Sequence, residues 1–372
     1  MTLVAVLALT SCSSDSLVGE SPVNNEAPIA FTVSQRNTTR ASQNLEDAKY
    51  YDFGVWAYKT KNDESALVMD NYQVGCAGYD SYSLSLTKGT WYYEGLGKDN
   101  KQVLRYWDLS YTNTNFYAYA PYEASGVTFN ESTKTITVSA DVNQAGTEHD
   151  VIYAGKQMTN SEHANVPLQF KHLGAKVNLQ FYEDIPGYSV ELLEVTSGQN
   201  DIKATPVTFD GQSTYTSAKF FTKSEATIAY GTDMNATATI NNTGEGNSSD
   251  AIEFKLPDNK VVPQAVSTGE QGYLKSPTTY YAVGQPKESE TGFLFHISYK
   301  LTASDNSEVI EIKDAQVFVP ASKTEGENTT YIAAWQPNTA YTYTFKITVD
   351  NKLYPIVFDN ITIVDYENSV AN

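Results

Sequence analysis

From Tyr341 to Val349 the apolar residues Tyr341, Tyr343, Phe345, Ile347 and Val349 alternate with Thr342, Thr344, Lys346 and Thr348. A period of two puts the apolar side chains on one face of an extended strand and the polar ones on the other, so the segment must pack one face against a second layer. Shorter segments of the same kind recur along the chain: Phe53–Tyr58, Trp91–Tyr93, Asn115–Tyr119, Lys134–Val138 and Val151–Ala154 in the first half. Lys176–Tyr182, Ser189–Val195, Pro206–Phe209, Ala251–Leu256, Thr279–Val283, Phe293–Leu301 and Val309–Ile312 follow in the second. Clusters of Gly, Asn, Asp and Pro separate them, and no long amphipathic helical repeat intervenes. Regular short strands with turn punctuation predict an all-β chain of antiparallel sandwiches or barrels. Gly231–Asp250, rich in Asn, Thr, Ser and Gly, reads as a surface loop or hairpin tip in the second half.

With 372 residues the chain is too long for one small core and suits two domains, here expected at 41–172 and 173–372. Its 27 tyrosines, with many Thr and Val, favour half-buried pleated strands. A formal charge of −19 repels nucleic acid and anionic membrane surfaces, so no polyanion partner is expected. The two cysteines are Cys12 and Cys76. If Cys12 carries another group, no disulfide forms within the chain, and stability rests on burial and sheet pairing.

The N-terminus gives Cys12 that other use. A short apolar run ends in Leu9-Thr10-Ser11-Cys12 and is followed by Ser13, Ser14 and Asp15, the pattern of a bacterial lipoprotein signal (residues 1–11) with the thiol of Cys12 as lipid attachment point. No Lys or Arg stands between Met1 and Leu3, where such signals are normally positive, which leaves open a start upstream of Met1. Residues 12–40 read as a polar tether followed by a first strand in which Ile29, Phe31 and Val33 form one apolar face. The polar stretch after it, Gln35–Ser42, contains Arg36 and Arg40; it is either a solvated loop or an extended site for a trypsin-like protease. At the other end, Asp350-Asn351-Lys352 supplies a turn. Leu353–Tyr366 then resumes as an extended run with Leu353, Ile356, Phe358, Ile361, Ile363 and Val364. This tail is either a closing strand or a strand offered to another molecule.

Catalytic chemistry finds little support. The four histidines, His149, His163, His172 and His296, lack the i, i+4 helical pairing of a zinc protease, so no metal site or cofactor is expected. Gly95-Leu96-Gly97 lacks the strand-to-helix context of a nucleotide loop and reads as a turn. His172 lies in Phe170–Lys176, where its imidazole is expected to hydrogen-bond a neighbouring loop. Glu183 and Asp184 are adjacent, so on a strand they point to opposite faces and do not cooperate as acid and base. Trp91, Tyr92, Tyr93 and Trp107 are either core and cross-strand packing or a stacking platform for host or dietary glycans.

Taken together the motifs resemble the fimbrillin family of type V pilins and their accessory subunits. The resemblance rests on the Cys12 lipobox, Ile29-Ala30-Phe31 followed by Thr39-Arg40-Ala41, Phe53–Tyr58, and Tyr106-Trp107 with Asn115–Pro121. It continues through Asp150–Ala154, Val166–His172 and Trp335-Gln336-Pro337 before Tyr341. Asp108 stands where family members often carry proline. The resemblance implies two transthyretin-like β-sandwich domains, export as an outer-membrane lipoprotein, and assembly with other pilin subunits into a surface fimbria, without enzymatic activity. It also implies cleavage by an arginine-specific protease after the first strand, with Arg40 the best match and Arg36 the alternative. The groove left by Ile29–Val33 would then take the extended C-terminal segment of another subunit, a head-to-tail contact that propagates as a filament. A permanently lipid-anchored adhesin or glycan binder, or a fimbrial anchor or tip subunit, is the alternative.

Overall fold

A computed structural model of the chain describes residues 27–35, 51–79, 86–141, 151–197, 223–242, 252–276, 280–282, 292–325, 327–332, 335–349 and 355–365. Its strands are β1 (Phe31–Gln35), β2 (Asp52–Lys61), β3 (Glu64–Cys76), β4 (Trp91–Tyr92), β5 (Asn113–Ala120), β6 (Val127–Asn130), β7 (Thr135–Asp141) and β8 (Ile152–Thr159). Next come β9 (Val166–His172), β10 (Ala175–Asp184), β11 (Tyr188–Ser197), β12 (Lys223–Tyr230), β13 (Ala236–Asn242), β14 (Ile252–Glu253), β15 (Val261–Val262) and β16 (Leu274–Lys275). The last are β17 (Tyr280–Ala282), β18 (Phe293–Ala303), β19 (Val309–Val319), β20 (Ser322–Glu325), β21 (Asn328–Tyr331), β22 (Thr339–Thr348) and β23 (Ile356–Asp365).

The first large sheet has seven strands in the order β1-β9-β8-β5-β2-β3-β4. Both faces of its central strands are buried, so β2 is covered almost continuously from Phe53 to Tyr58 instead of alternating in and out. Trp56, Tyr58, Tyr117, Tyr119 and Tyr153 pack against Ile136, Val138, Ala226 and Ile228 of a four-stranded sheet ordered β13-β12-β7-β6. The opposite face holds Phe53, Val55, Phe116, Val166, Leu168 and Phe170 together with Ile29, Phe31 and Val33. Phe31 on β1 and Phe53 on β2 lie four strands apart in the sheet order, about 19 Å if the sheet were flat. Their ring centroids are 5.7 Å apart, so the sheet curls until its first strand lies over its middle.

The second pair of sheets encloses a separate core. One is ordered β16-β10-β22-β23 with β17 also on β10; the other is β14-β11-β18-β19 with β15 also on β11. Val177, Leu179, Phe181, Tyr343, Phe345 and Ile347 of the first face Val190, Leu192, Phe295, Ile297, Tyr299 and Val317 of the second. Two bulges keep apolar residues on the inner face where the period of two fails. The ladder shifts between Leu192 and Glu194 of β11, so Leu192 and Val195 both point inward. On β23 it shifts opposite Thr344/Phe345, so Phe358 and Ile361 pack on the same core. Trp335 caps this core by donating from Nε1 to the Tyr343 hydroxyl at 2.8 Å.

The architecture is all-β as expected, with two parallel ladders, β1–β9 and β10–β22, among the otherwise antiparallel ladders of the described residues. The stretch expected as a loop or hairpin tip at Gly231–Asp250 needs correction. Residues 231–235 form a hairpin tip, but Ala236–Asn242 is strand β13. The hairpin β12–β13 also pairs with β7, so it joins the sheets of the first half although it follows residue 173. His172 ends strand β9, buried, opposite Ile152, and its backbone N–H donates to Asn338 Oδ1 at 3.0 Å. The anticipated strand at Pro206–Phe209 lies outside the described residues.

Candidate functional site

The segment 27–35 is held from two sides. Along one, β1 runs parallel to β9 in the register Phe31↔Val166, Val33↔Leu168 and Gln35↔Phe170, and Val166 N donates to Ala30 O at 2.7 Å. Along the other, the residues just before β1 pair with the loop that follows β4: Ile29 N donates to Arg105 O at 2.8 Å and Trp107 N to Ala27 O at 3.1 Å. β1 is the terminal strand of the sheet, so a single full ladder retains it.

Its inward face is apolar by alternation. Ile29, Phe31 and Val33 are 2%, 4% and 7% exposed, while Thr32 faces solvent. Phe31 sits edge-on to three rings, Phe53 at 5.7 Å, Phe116 at 5.8 Å and Tyr93 at 6.0 Å, the favourable geometry for ring quadrupoles. Burial of Ile29, Phe31 and Val33 contributes roughly 1.5–3 kcal/mol each.

The loop on the far side is itself braced by amides. Gln102 Nε2 donates to Tyr93 O at 2.9 Å and to Gln73 O at 2.8 Å, while Gln73 N donates to Gln102 Oε1 at 2.7 Å. Gly97 N donates to Gln73 Oε1 at 2.9 Å, and Gln73 Nε2 reaches both carboxylate oxygens of Asp52. Gly97, at φ +74°, has to be glycine here, because a Cβ would lie 2.2 Å from Gln102 Oε1. The Gly95-Leu96-Gly97 turn therefore serves to seat Tyr93 and Arg105 against the first strand. Arg105 Nε donates to the Tyr72 hydroxyl at 2.7 Å, fixing the loop to β3.

The four aromatics considered as a glycan platform are core residues. Trp107 and Tyr93 are buried, Tyr92 is nearly so, and half-buried Trp91 packs on Phe53 with centroids 5.3 Å apart. Trp107 meets Phe116 edge-on at 6.0 Å. Trp91 also stacks on Tyr51 with centroids 6.1 Å apart, and packing within the protein describes these rings. Asp108 accepts from Lys59 Nζ at 2.6 Å and from the Ser110 backbone at 2.9 Å, which anchors the end of the same loop. Glu183 and Asp184 do point apart: Glu183 is buried and accepts from Ile185 N at 2.6 Å, and Asp184 pairs with Lys346 at 2.7 Å. Among the described residues no group of three or more His, Cys, Asp and Glu side chains is placed to hold a metal ion.

Cys12, Arg36, Arg40 and Leu353 lie outside the described residues. Of the remaining tail positions, Ile356, Phe358, Ile361 and Ile363 pack on the second core, while Val364 is exposed on the outer side. In this state β23 is a closing edge strand, antiparallel to β22 from Thr339↔Asp365 to Ile347↔Ile356. Tyr93 and Arg105 are the parts of the site that alternation does not reveal, because their partners on the first strand lie 64 or more residues away in sequence.

A family model described as fimbrillin-like matches residues 39–365. The chain is similar to a fimbrial protein from Bacteroides vulgatus at 15% identity, with 91% of this chain and 99% of that one covered and a TM-score of 0.56. It is also similar to the tip fimbrial protein Mfa3 from Porphyromonas gingivalis, solved with a C-terminal truncation, at 11% identity, 86% and 96% coverage and a TM-score of 0.36. No curated protein matches it significantly.

Proposed function

Because the chain belongs to the fimbrillin-like family, matched over residues 39–365, we propose that it is a structural subunit of a bacterial fimbria that polymerises by strand exchange. It is exported as an outer-membrane lipoprotein on Cys12, and cleavage after Arg40, or after Arg36, frees it from the lipid. Its two pairs of packed sheets act as transthyretin-like sandwich domains, divided near residue 172, with the hairpin β12–β13 completing the first.

The observation that carries this reading is the construction of β1. With Ile29 just ahead of it, it supplies three buried side chains to a core yet sits at the sheet edge, shortly before Arg36 and Arg40. Once the chain is cut, only noncovalent contacts retain it, and its departure uncovers an apolar groove and the unpaired ladder groups of β9. The occupant is the C-terminal segment of another subunit. Donor and acceptor are different surfaces, so the contact repeats without closing.

The test takes the purified full-length chain without lipid, digests it with an arginine-specific protease, and follows intact mass and native gel mobility. A product starting at Ala41 that forms a ladder of oligomers supports the reading. A product that loses residues 12–40 and stays monomeric at high concentration overturns strand exchange. Recovery of an uncut, lipidated chain from assembled surface fibres overturns the processing step.

A further inference from the structure

Resting on the strand-exchange reading above, we propose that Phe358 of a second copy of this chain is the anchor that fills the cage vacated by Phe31. The cage is an aromatic pocket of defined size: Phe53, Phe116 and Tyr93 surround the Phe31 ring edge-on at 5.7–6.0 Å. Two residues to either side lie the sites of Ile29 and Val33, on the same face. An incoming strand is therefore read at three positions, i−2, i and i+2, with a ring preferred at i and no charge tolerated at any of them, because an unpaired carboxylate in apolar surroundings is strongly unfavourable.

These conditions leave few registers in the tail. Centring on Val357 or Ile361 turns Asp359 into the groove, and centring on Ile363 turns Asp365 in. Centring on Tyr354 brings in Lys352. Centring on Ile356 puts the rings of Tyr354 and Phe358 into the two flanking sites, where aliphatic side chains now sit. Centring on Phe358 places a ring in the cage, Ile356 in one flank and the uncharged Asn360 in the other, with Asp359 directed outward. Tyr366 is the one other ring whose register keeps charged side chains out, flanked by Val364 and Asn368, but it would carry a phenol hydroxyl into the space of a phenylalanine.

Phe358 also gains by the transfer. On its own sheet it is half-buried and meets Tyr343 and Phe345 at 6.4 and 6.2 Å, whereas the Phe31 site is 4% exposed and ringed on three sides. The bulge at Asp359 that lets both Phe358 and Ile361 face the home core is not needed in the groove, where the three reading positions follow plain alternation.

The test uses the processed chain starting at Ala41 with the first strand removed, and labelled synthetic peptides followed by fluorescence anisotropy. The 353–365 peptide should bind and be displaced by an unlabelled 27–35 peptide; F358A should bind at least about tenfold more weakly, and F358L should retain most of the affinity. Peptides avoid the question of whether an F358A chain folds. If the wild-type peptide binds and F358A binds equally well, the anchor is wrong and the strand-exchange reading stands. If binding requires extension to residue 372 and is insensitive to F358A, Tyr366 or its neighbours take the role and the proposal falls. If 27–35 binds and 353–365 does not, both the C-terminal donor and its anchor are overturned, and so they are if neither peptide binds.

Discussion

The hydroxyl of Tyr93 donates to the carbonyl oxygen of Ile29 at 2.9 Å, in a buried contact that ties the first strand to the loop following β4. The Tyr93 hydroxyl oxygen in turn accepts from Arg105 N at 3.1 Å, so the phenol bridges the two backbones that clasp each other there. Burial pushes the Tyr93 phenol up to about 12, against the opposing effect of the Arg105 backbone, and it remains a donor at any pH the cell surface meets. Through Gln102, Gln73 and Asp52 the latch is tied to strands β2 and β3. The hold on the first strand thus depends on the inner strands of its own sheet.

Tyr93→Phe keeps the ring beside Phe31 and removes only the hydroxyl. The Ile29 carbonyl loses a buried donor, worth about 1–2 kcal/mol. After cleavage at arginine, the variant should release its N-terminal peptide about five- to thirtyfold faster, by that energy, when release is followed by chromatography. An unchanged release rate would show that the hydroxyl does not retain the strand.

The parts of this architecture that are legible in the sequence are those with one wet face. β22 alternates from Tyr341 to Ile347 and is buried in that pattern except at Thr344, which is covered as well. Ile29, Phe31 and Val33 are legible for the same reason. β2 is buried on both faces, which its composition suits but its period does not announce, and β3 begins with a largely exposed stretch in which the apolar run Ala66–Met69 shows no alternation, which hides it. On β23 the bulge at Asp359 breaks the period, so the apolar run is visible while the inward set is not, and Val364 turns out to face away. The clasp around the first strand depends on contacts across 64 or more residues, for which no local pattern exists.

Asp108 gives the loop a dependence on acid. Burial pulls its carboxyl upward, but hydrogen bonds from Lys59 and from the side chain and backbone of Ser110, with the Lys59 charge, outweigh it and bring the group from 3.8 down to about 2. A depressed folded value stabilises the fold above the unfolded value, and that stability is lost as pH falls through about 2. With both side chains partly exposed and screened by salt, the contribution is about 1 kcal/mol. Asp108→Asn should lower stability by about that amount at pH 6 in urea unfolding and make little difference near pH 2. A loss of equal size at both pH values would mean that packing, not charge, is what Asp108 supplies.

Gly155 sets how closely the hairpin β12–β13 docks on β8. A Cβ there would lie 2.5 Å from Met234 O and 2.6 Å from a ring carbon of Tyr230, a residue whose ring also packs edge-on against Tyr117 at 4.9 Å. The backbone oxygen cannot move aside as a flexible side chain end would, so Gly155→Ala must shift the hairpin. A loss of about 1–3 kcal/mol is expected, with faster hydrogen exchange concentrated at residues 236–242. Unaltered protection of those amides would show that the hairpin does not depend on the close approach.

Glu183 makes the opposite contribution to that of Asp108. It is buried on β10, and burial raises its carboxyl above the ordinary value of 4.5, opposed by the Ile185 backbone and the Gln264 side chain and reinforced by the adjacent Asp184. A raised folded value favours the neutral form, so its stabilising effect is complete below the unfolded value of 4.5 and is lost as pH rises through the folded one. The carboxyl accepts from Ile185 N at 2.6 Å, and the Glu183 backbone forms a bridge with Gln264. Glu183→Gln keeps an oxygen for the Ile185 N–H and removes the buried charge. The variant should match the parent at pH 4 and exceed it at pH 7, flattening the slope of unfolding free energy between those values. A variant weaker than the parent at both pH values would mean that the second carboxylate oxygen holds the 263–265 segment in a way an amide cannot replace.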